Sequence, residues 1–330
     1  MSMNHKPGLT TRYPGRILYL NHDNPGPSGG VKVIYEHVEH LARNGYRAAV
    51  VHLNRGFKPD WFESAAPVLY CDANFNPQPD DLIILPEDHA GFLELFRTVP
   101  GRKVVFCQNH FYLFEGLKNA DSWQTMGISD IMACSDIVAD FISTNLGVPA
   151  IQTVHCAVSP LFRPSSRKKL QIAYMPRKRP LEAQFIQRLC ERMLGSQFPV
   201  EWVALDGVPQ SVVARTLAES ALFLSLSRLE GFGLPPLEAM ASGCLVVGFT
   251  GFGGLEYANE ENGFWCAEDD LVACARMLAT AVRMVWEKSP KVERIVSAAQ
   301  QTAAAYTVQR QEQELLQAIQ HVMRTTQEGQ

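Results

Sequence analysis

The stretch Leu224–Glu256, LSLSRLEGFGLPPLEAMASGCLVVGFTGFGGLE, decides how the rest of the chain is read. It runs as an apolar strand, a glycine-bearing turn, a helix opening on two prolines, a second apolar strand and another glycine turn. Pro235 and Pro236 are unsuited to a helix interior but fit a first turn. This places Glu230 in the turn before the helix and Glu238 in the helix's first turn. The two carboxylates therefore approach one ligand from two elements. Gly231 and Gly233 lack a Cβ, so backbone can come close to a ligand there. A helix N-terminus offers free N–H groups and the positive end of a dipole, which suits phosphate. The prolines donate nothing, so the donors must come from Gly231, Phe232, Gly233, Leu234 or the next turn. The stretch reads as the floor of a site for a phosphorylated, hydroxyl-rich ligand.

Carboxylates accept paired hydrogen bonds from vicinal hydroxyls. Beside a diphosphate they would repel it unless cations stood nearby. Arg177, Lys178 and Arg179, in the turn YMPRKRP, are the candidates. The guanidinium fork of arginine matches phosphate oxygens.

Upstream, Arg16–Asn21 (RILYLN) reads as a strand, and HDNPGPSGG as a loop closing on Gly29 and Gly30. Val31, Ile34, Val38 and Leu41 then have helical spacing, with Gly45 as the stop. Arg47–Leu53 is strand again, completing a βαβ unit. Asp81–Leu85, Lys103–Cys107, Asp130–Cys134 and Ile151–Val154 continue the alternation. Strands apolar nearly throughout predict parallel sheet covered on both faces. Ser159–Lys169 (SPLFRPSSRKK) reads as a linker. After it come strand Leu170–Tyr174, helix Leu181–Leu194, strand Val200–Leu205, helix Ser211–Glu219 and a strand from Ala221. Beyond the central stretch follow strand Gly263–Cys266, helix Asp270–Lys288 and a helical tail, Lys291–Arg324. The expected boundaries are 1–158 for a first domain, 159–169 for the linker and 170–308 for a second domain. The remainder, 309–330, is expected as a helix free to pack back on the first domain. The start, Met1–Gly15, is polar and expected to be untethered.

The chain has 330 residues, enough for two domains, and a net charge of −4, which lacks the basic field of a nucleic-acid binder. Its eight cysteines include no CxxC pair and sit mostly in apolar runs, so buried thiols are expected rather than disulfides or a zinc site. The N-terminus has no apolar core of the signal-peptide kind, and no run has the ~18 apolar residues of a membrane span. A cytoplasmic protein is expected, with peripheral contact at the inner membrane face left open.

Together, E-G-F-G-L-P-P-L-E-A-M-A-S-G-C and the following G-G-L-E resemble the E-x7-E motif of retaining GT-B glycosyltransferases of family 4. Gly29 and Gly30 fall where that family has its first glycine turn. DIMACSDIVADFISTNLGVPAIQTVHCAVSPLFRP is similar to its passage into the second domain. The likeness covers roughly Arg16–Ala305 and implies an α/β fold, GT-B, with two Rossmann-like doubly wound domains facing across a cleft. It implies that Glu238 holds the donor ribose, that Glu230 contacts donor-sugar hydroxyls beside Phe232 and Gly233, and that Arg177 binds the diphosphate. It also implies that Gly30 lets the first domain approach the phosphate, and that His110 lies near the transferred sugar. The chain departs from the pattern at Glu182, where the family often has lysine, so Lys178 or Arg179 must substitute. It departs again at Cys156-Ala157, where Asn-Gly is usual.

The expected activity is transfer of a sugar from a nucleotide-diphosphate sugar to an acceptor hydroxyl, in surface polysaccharide or glycoconjugate synthesis. The sequence holds no D-x-D, so no metal and no cofactor are expected; cations and helix N-termini would stabilise the leaving group. Plainer readings stand beside these. Arg177–Arg179 suits a solvated run, His110 a core or capping histidine, His155 a structural role, and His22 with Asp23 ordinary loop polarity. A non-catalytic nucleotide-sugar sensor would keep the same pocket. An NAD enzyme would share the fold, but HDNPGPSGG is not G-x-G-x-x-G.

Overall fold

A computed structural model describes residues 13–116, 127–147 and 151–327. The first domain is a seven-stranded parallel sheet in the order β3-β2-β1-β4-β5-β6-β7. Its strands are β1 (Ile17–Leu20), β2 (Ala48–His52), β3 (Val68–Tyr70), β4 (Leu82–Pro86), β5 (Arg102–Cys107), β6 (Ile128–Ala133) and β7 (Ile151–Thr153). β1, β2 and β4 are buried along their whole length, which is why they read as continuous apolar runs. The second domain is a five-stranded parallel sheet in the order β12-β11-β10-β8-β9. It comprises β8 (Lys169–Tyr174), β9 (Glu201–Ala204), β10 (Ser220–Glu230), β11 (Leu245–Phe252) and β12 (Phe264–Trp265).

Each sheet reverses its strand order once, between β1 and β4 in the first and between β8 and β10 in the second. Ligands of doubly wound sheets sit beyond the strand C-termini at such points. The residues after β1, β4, β8 and β10 are therefore the ones to follow.

Helices cover the sheets. The first domain has α1 (Gly29–Arg43), α2 (Ala90–Phe96), α3 (Leu113–Gly116) and α4 (Asp136–Leu146). The second has α5 (Pro180–Leu194), α6 (Gln210–Glu219), α7 (Leu234–Ala241), α8 (Leu271–Trp286) and α9 (Pro290–Ala304). The tail is two helices. Thr307 caps a new helix, α10 (Val308–Gln327), by accepting the N–H of Arg310 at 3.1 Å. At the break, the carbonyl of Tyr306 accepts the N–H of Val158 at 2.9 Å. α10 returns to the first domain. Gln311 lies 3.2 Å from His40, Glu312 accepts from Asn44 at 2.6 Å, and the carbonyl of Val322 accepts from Arg102.

The polar start is tethered sooner than its composition implies. A Cβ on Gly15 would stand 1.6 Å from the Asp80 carbonyl oxygen, so backbone already packs on backbone there. Residues 1–12 of that segment lie outside the described residues, as do 148–150 and 328–330. Three short elements escaped the sequence reading, the three-residue edge strand β3, the seven-residue α2 and the four-residue α3. The eight cysteines are free; Cys71 is half-buried and the other seven buried. Among the described residues, no helix is long and apolar enough to cross a membrane.

Candidate active site

The strand C-termini of both sheets open on one cleft of about 790 Å³. Ten of the twelve site residues read from sequence line it: Gly29 and Gly30; Arg177 and Lys178; Glu230 through Leu234; and Glu238. The other two do not.

Arg179 is turned away and is 1% exposed. Its guanidinium meets Glu268 at 2.8 Å, pairs with Asp269, donates to the Ser227 carbonyl at 3.2 Å and lies over the Phe249 ring. Two carboxylates already neutralise it, so it braces the wall of the cleft. Spacing misled here because the turn is a 3-10 helix, Pro176–Lys178, which sends consecutive side chains in different directions. His110 is 7% exposed and packs against the rings of Phe111 and Phe141, at 4.1 and 4.7 Å between centroids. Burial pushes its pKa down. It is a neutral ring in an aromatic cluster outside the cleft lining.

Glu230 owes its position to a β-bulge. The pairing of β10 with β11 shifts register between Ser227 and Glu230, and Leu229 takes φ +48°. A bulky residue there is strained by roughly 1–3 kcal/mol, and bulges beside sites re-aim side chains. The strain is held from the other domain, where Asn109 donates to the Leu229 carbonyl at 2.8 Å. Glu230 meets Lys178 at 2.8 Å, so this carboxylate does not stand unopposed at the cleft. Glu182 sits on the outer side of the turn, 3.5 Å from Arg228.

The glycines divide their roles. A Cβ on Gly231 would meet the Gln108 carbonyl oxygen at 2.0 Å. The missing side chain thus lets the two domains touch, which the sequence reading had assigned to ligand access. Ser135 donates to the Gly231 carbonyl at 2.7 Å across the same contact. Gly231→Ala is expected to force the domains apart at an overpacking cost of ~1–3 kcal/mol. Its melting temperature should fall and turnover should drop at least tenfold; an unchanged variant would mean that the contact yields freely. Gly233 has φ +88°, in the left-handed region, and its carbonyl accepts the Tyr257 hydroxyl at 2.5 Å. Phe232 turns its ring to Tyr257 and Tyr306, anchoring the turn.

α7 starts at Leu234, so Pro235 and Pro236 fill its first turn and Glu238 begins the second, one turn deeper than expected. Burial lifts the Glu238 carboxyl to about 7. Lys32 works against that shift and Glu36 with it. Lys32 and Glu36 pair on α1, so the first domain faces Glu238 with a balanced couple. The N-termini of α1 and α7 meet at the cleft: a Cβ on Gly29 would lie 3.7 Å from Leu234 Cδ1. Neither helix has a side-chain cap. Their first N–H groups and dipoles converge from opposite domains.

Beyond Gly29 and Gly30, the first domain lines the cleft with residues that sequence alone did not single out, among them Glu87, Asp88, Gln108, Asn109 and Tyr112. Glu87 is 4% exposed and accepts the Asn109 N–H at 2.7 Å. Burial, with Asp88 beside it, lifts its carboxyl to about 8, against the pull of backbone N–H groups. The available signal was its place in PEDH, just past an apolar strand.

Residues 197–302 match the family described as Glycosyl transferases group 1. The chain is 26% identical over 287 residues to an alpha-1,6-glucosyltransferase of Actinobacillus pleuropneumoniae serotype 7, covering 84% of this chain and 87% of the relative. A glycosyltransferase from Rickettsia africae superposes with a TM-score of 0.70 at 13% identity, over 94% of this chain and 99% of that one. HepE from Anabaena, solved with UDP and glucose, gives 0.69 at 17% identity, over 93% and 100%. These solved neighbours share the two-domain GT-B fold. Together, the matched domain and the relative make this chain a glycosyltransferase.

Proposed function

We propose that the chain moves a sugar from a nucleoside-diphosphate sugar to an acceptor hydroxyl with retention of configuration and without a metal at the diphosphate. One arrangement carries the proposal: Glu230 and Glu238 line a cleft at which two uncapped helix N-termini and the cations Arg177 and Lys178 also lie. Glu238 takes the ribose hydroxyls and Glu230 the hydroxyls of the transferred sugar. The diphosphate lies between the helix N-termini, with Arg177 on its oxygens. Lys178, shared with Glu230, replaces the family lysine absent at Glu182.

In the reaction, the acceptor oxygen bonds to the anomeric carbon as the bond from that carbon to phosphate breaks. The leaving phosphate receives the acceptor's proton on the same face of the sugar. Fixed donors aimed at the developing phosphate charge lower the barrier. The likeness to an alpha-1,6-glucosyltransferase and to a neighbour solved with UDP-glucose makes UDP-glucose the first donor to test; the setting of the proposal is synthesis of a surface glycan or glycoconjugate.

A thermal-shift screen of nucleoside diphosphates and their sugars, followed by turnover of the best donor, tests the reading. A UDP-sugar should give the largest shift and be consumed, and Arg177→Ala should weaken its binding by about ten- to a hundredfold, the loss of a charged hydrogen bond. Binding without consumption would leave only a sensor.

A further inference from the structure

The first domain's strand-order reversal carries a second polar cluster. His22 follows β1, while Glu87, Asp88 and His89 follow β4. His22 Nε2 lies 2.7 Å from Asp88 Oδ1. Both side chains keep about a third of their surface open, 33% and 30%. The pair is firmly held. The His22 N–H donates to the Asn21 side chain at 2.9 Å, and that buried amide in turn donates to the Val31 carbonyl at 3.2 Å. The His22 ring lies 5.1 Å from the ring of His89, which accepts the Phe92 N–H at the start of α2. His22 and Asp88 line the cleft from the first domain, as Glu230 does from the second, and the donor reading leaves them without a task.

We propose that His22 and Asp88 form the acceptor seat, and that it takes an uncharged sugar, gripped through its hydroxyls, rather than a phosphorylated or otherwise anionic acceptor. This rests on the donor reading above for the position of the transferred sugar. A carboxylate beside an imidazole offers an acceptor and a donor to neighbouring hydroxyls. Around them the wall supplies the amides of Asn24, Gln108 and Asn109 and the rings of Trp61 and Tyr112, a mixture suited to sugar hydroxyls and to sugar C–H faces. Charge decides the class. Among the described lining residues of this wall the cations are His22 and Lys32, and each already has a carboxylate partner, Asp88 and Glu36. Asp23, on the same loop, faces away to His52 at 2.7 Å. Glu87, lifted to about 8 by burial and by Asp88, adds no positive charge in any state. An anionic acceptor would find no unbalanced cation on this wall, Arg177 across the cleft being engaged by the donor diphosphate, whereas a neutral sugar needs none.

The test uses the full chain with UDP-glucose, or the best donor of the screen, and two kinds of acceptor. The neutral probes are the methyl glycosides of glucose, galactose and mannose; the anionic probe is glucose 1-phosphate. Transfer to at least one methyl glycoside should exceed transfer to glucose 1-phosphate tenfold or more. Asp88→Asn and His22→Gln should raise the KM for the sugar acceptor and lower the ratio of transfer to donor hydrolysis at least tenfold. The thermal shift given by the donor should persist in both variants. A donor-free readout separates the two proposals: the imidazole NMR signals of His22 should move with the methyl glycoside and stay put with glucose 1-phosphate. Preference for glucose 1-phosphate would overturn the acceptor seat, as would an unaltered ratio in both variants, or a His22 signal unmoved by all three glycosides. A wild-type chain that binds no nucleotide sugar, yet shows the His22 response, would overturn the donor reading alone.

Discussion

Glu238→Ala is expected to reduce donor affinity on the order of a hundred- to ten-thousandfold and to reduce turnover at least as much. Hydrogen bonds to a charged group contribute ~1.5–3 kcal/mol each, and a carboxylate bridging two ribose hydroxyls makes two. The fold should not suffer. Burial already disfavours the charged form, lifting the carboxyl to about 7, so removing it relieves a desolvation cost. Glu238→Gln should accordingly melt at the wild-type temperature or above while losing the donor-induced shift.

The same group gives the reaction a pH dependence. The carboxylate accepts two hydroxyl hydrogens and the neutral acid accepts less well, so donor binding should tighten as pH rises through about 7. Titration calorimetry of wild type and Glu238→Gln across that range isolates the effect, because ionisation of the donor phosphates is common to both proteins. Parallel pH profiles, or near-normal affinity in the alanine variant, would remove Glu238 from the donor site.

What could be read from the sequence was whatever depends on local pattern. The continuous apolar strands β1, β2, β4 and β5 announced a covered parallel sheet, and Glu230–Glu238 announced a strand-to-helix turn with two acids. What stayed hidden depends on contacts distant in sequence. Arg179 looks like its neighbours until Glu268 and Asp269, some ninety residues on, are seen to hold it. Gly231 looks like a ligand-facing glycine until the backbone of Gln108 is brought against it. The bulge at Leu229 leaves no mark in composition, since glycine is the usual choice for positive φ and leucine was found. The seat at His22 and Asp88 joins two loops 66 residues apart, which no spacing rule links.

His155 is where such distant contacts should matter most for stability. It is 6% exposed, in the passage out of the first domain, and joins three parts of the molecule. Its Nε2 lies 3.1 Å from Glu256, in the glycine turn of the second domain, and 3.5 Å from Asp136 at the start of α4. Its Nδ1 lies 3.0 Å from Glu314 on α10, and its backbone N–H donates to the same carboxylate at 2.8 Å. Arg310 donates to Glu314 at 2.8 Å. Burial alone would lower the His155 pKa, but Glu256 and Glu314 overcome it and lift it to about 9. Burial would likewise raise Glu314, but His155 and Arg310 overcome it and hold it at about 2. For the histidine, stabilisation is complete below the ordinary value of 6.5 and fades as pH rises through about 9. For the glutamate it is complete above 4.5 and fades as pH falls through about 2. The network is therefore strongest between pH 4.5 and 6.5. His155→Ala takes the imidazole from Glu256 and leaves Glu314 with Arg310 alone; with both carboxylates only partly buried, it should cost about 3 kcal/mol, the low end of the range for breaking a buried ion pair. Urea unfolding from pH 5 to 9.5 checks this: wild type should lose stability steadily above 6.5, and the variant should start lower and stay flat there. Equal slopes in the two proteins would mean that the imidazolium does not tie the domains and α10 together.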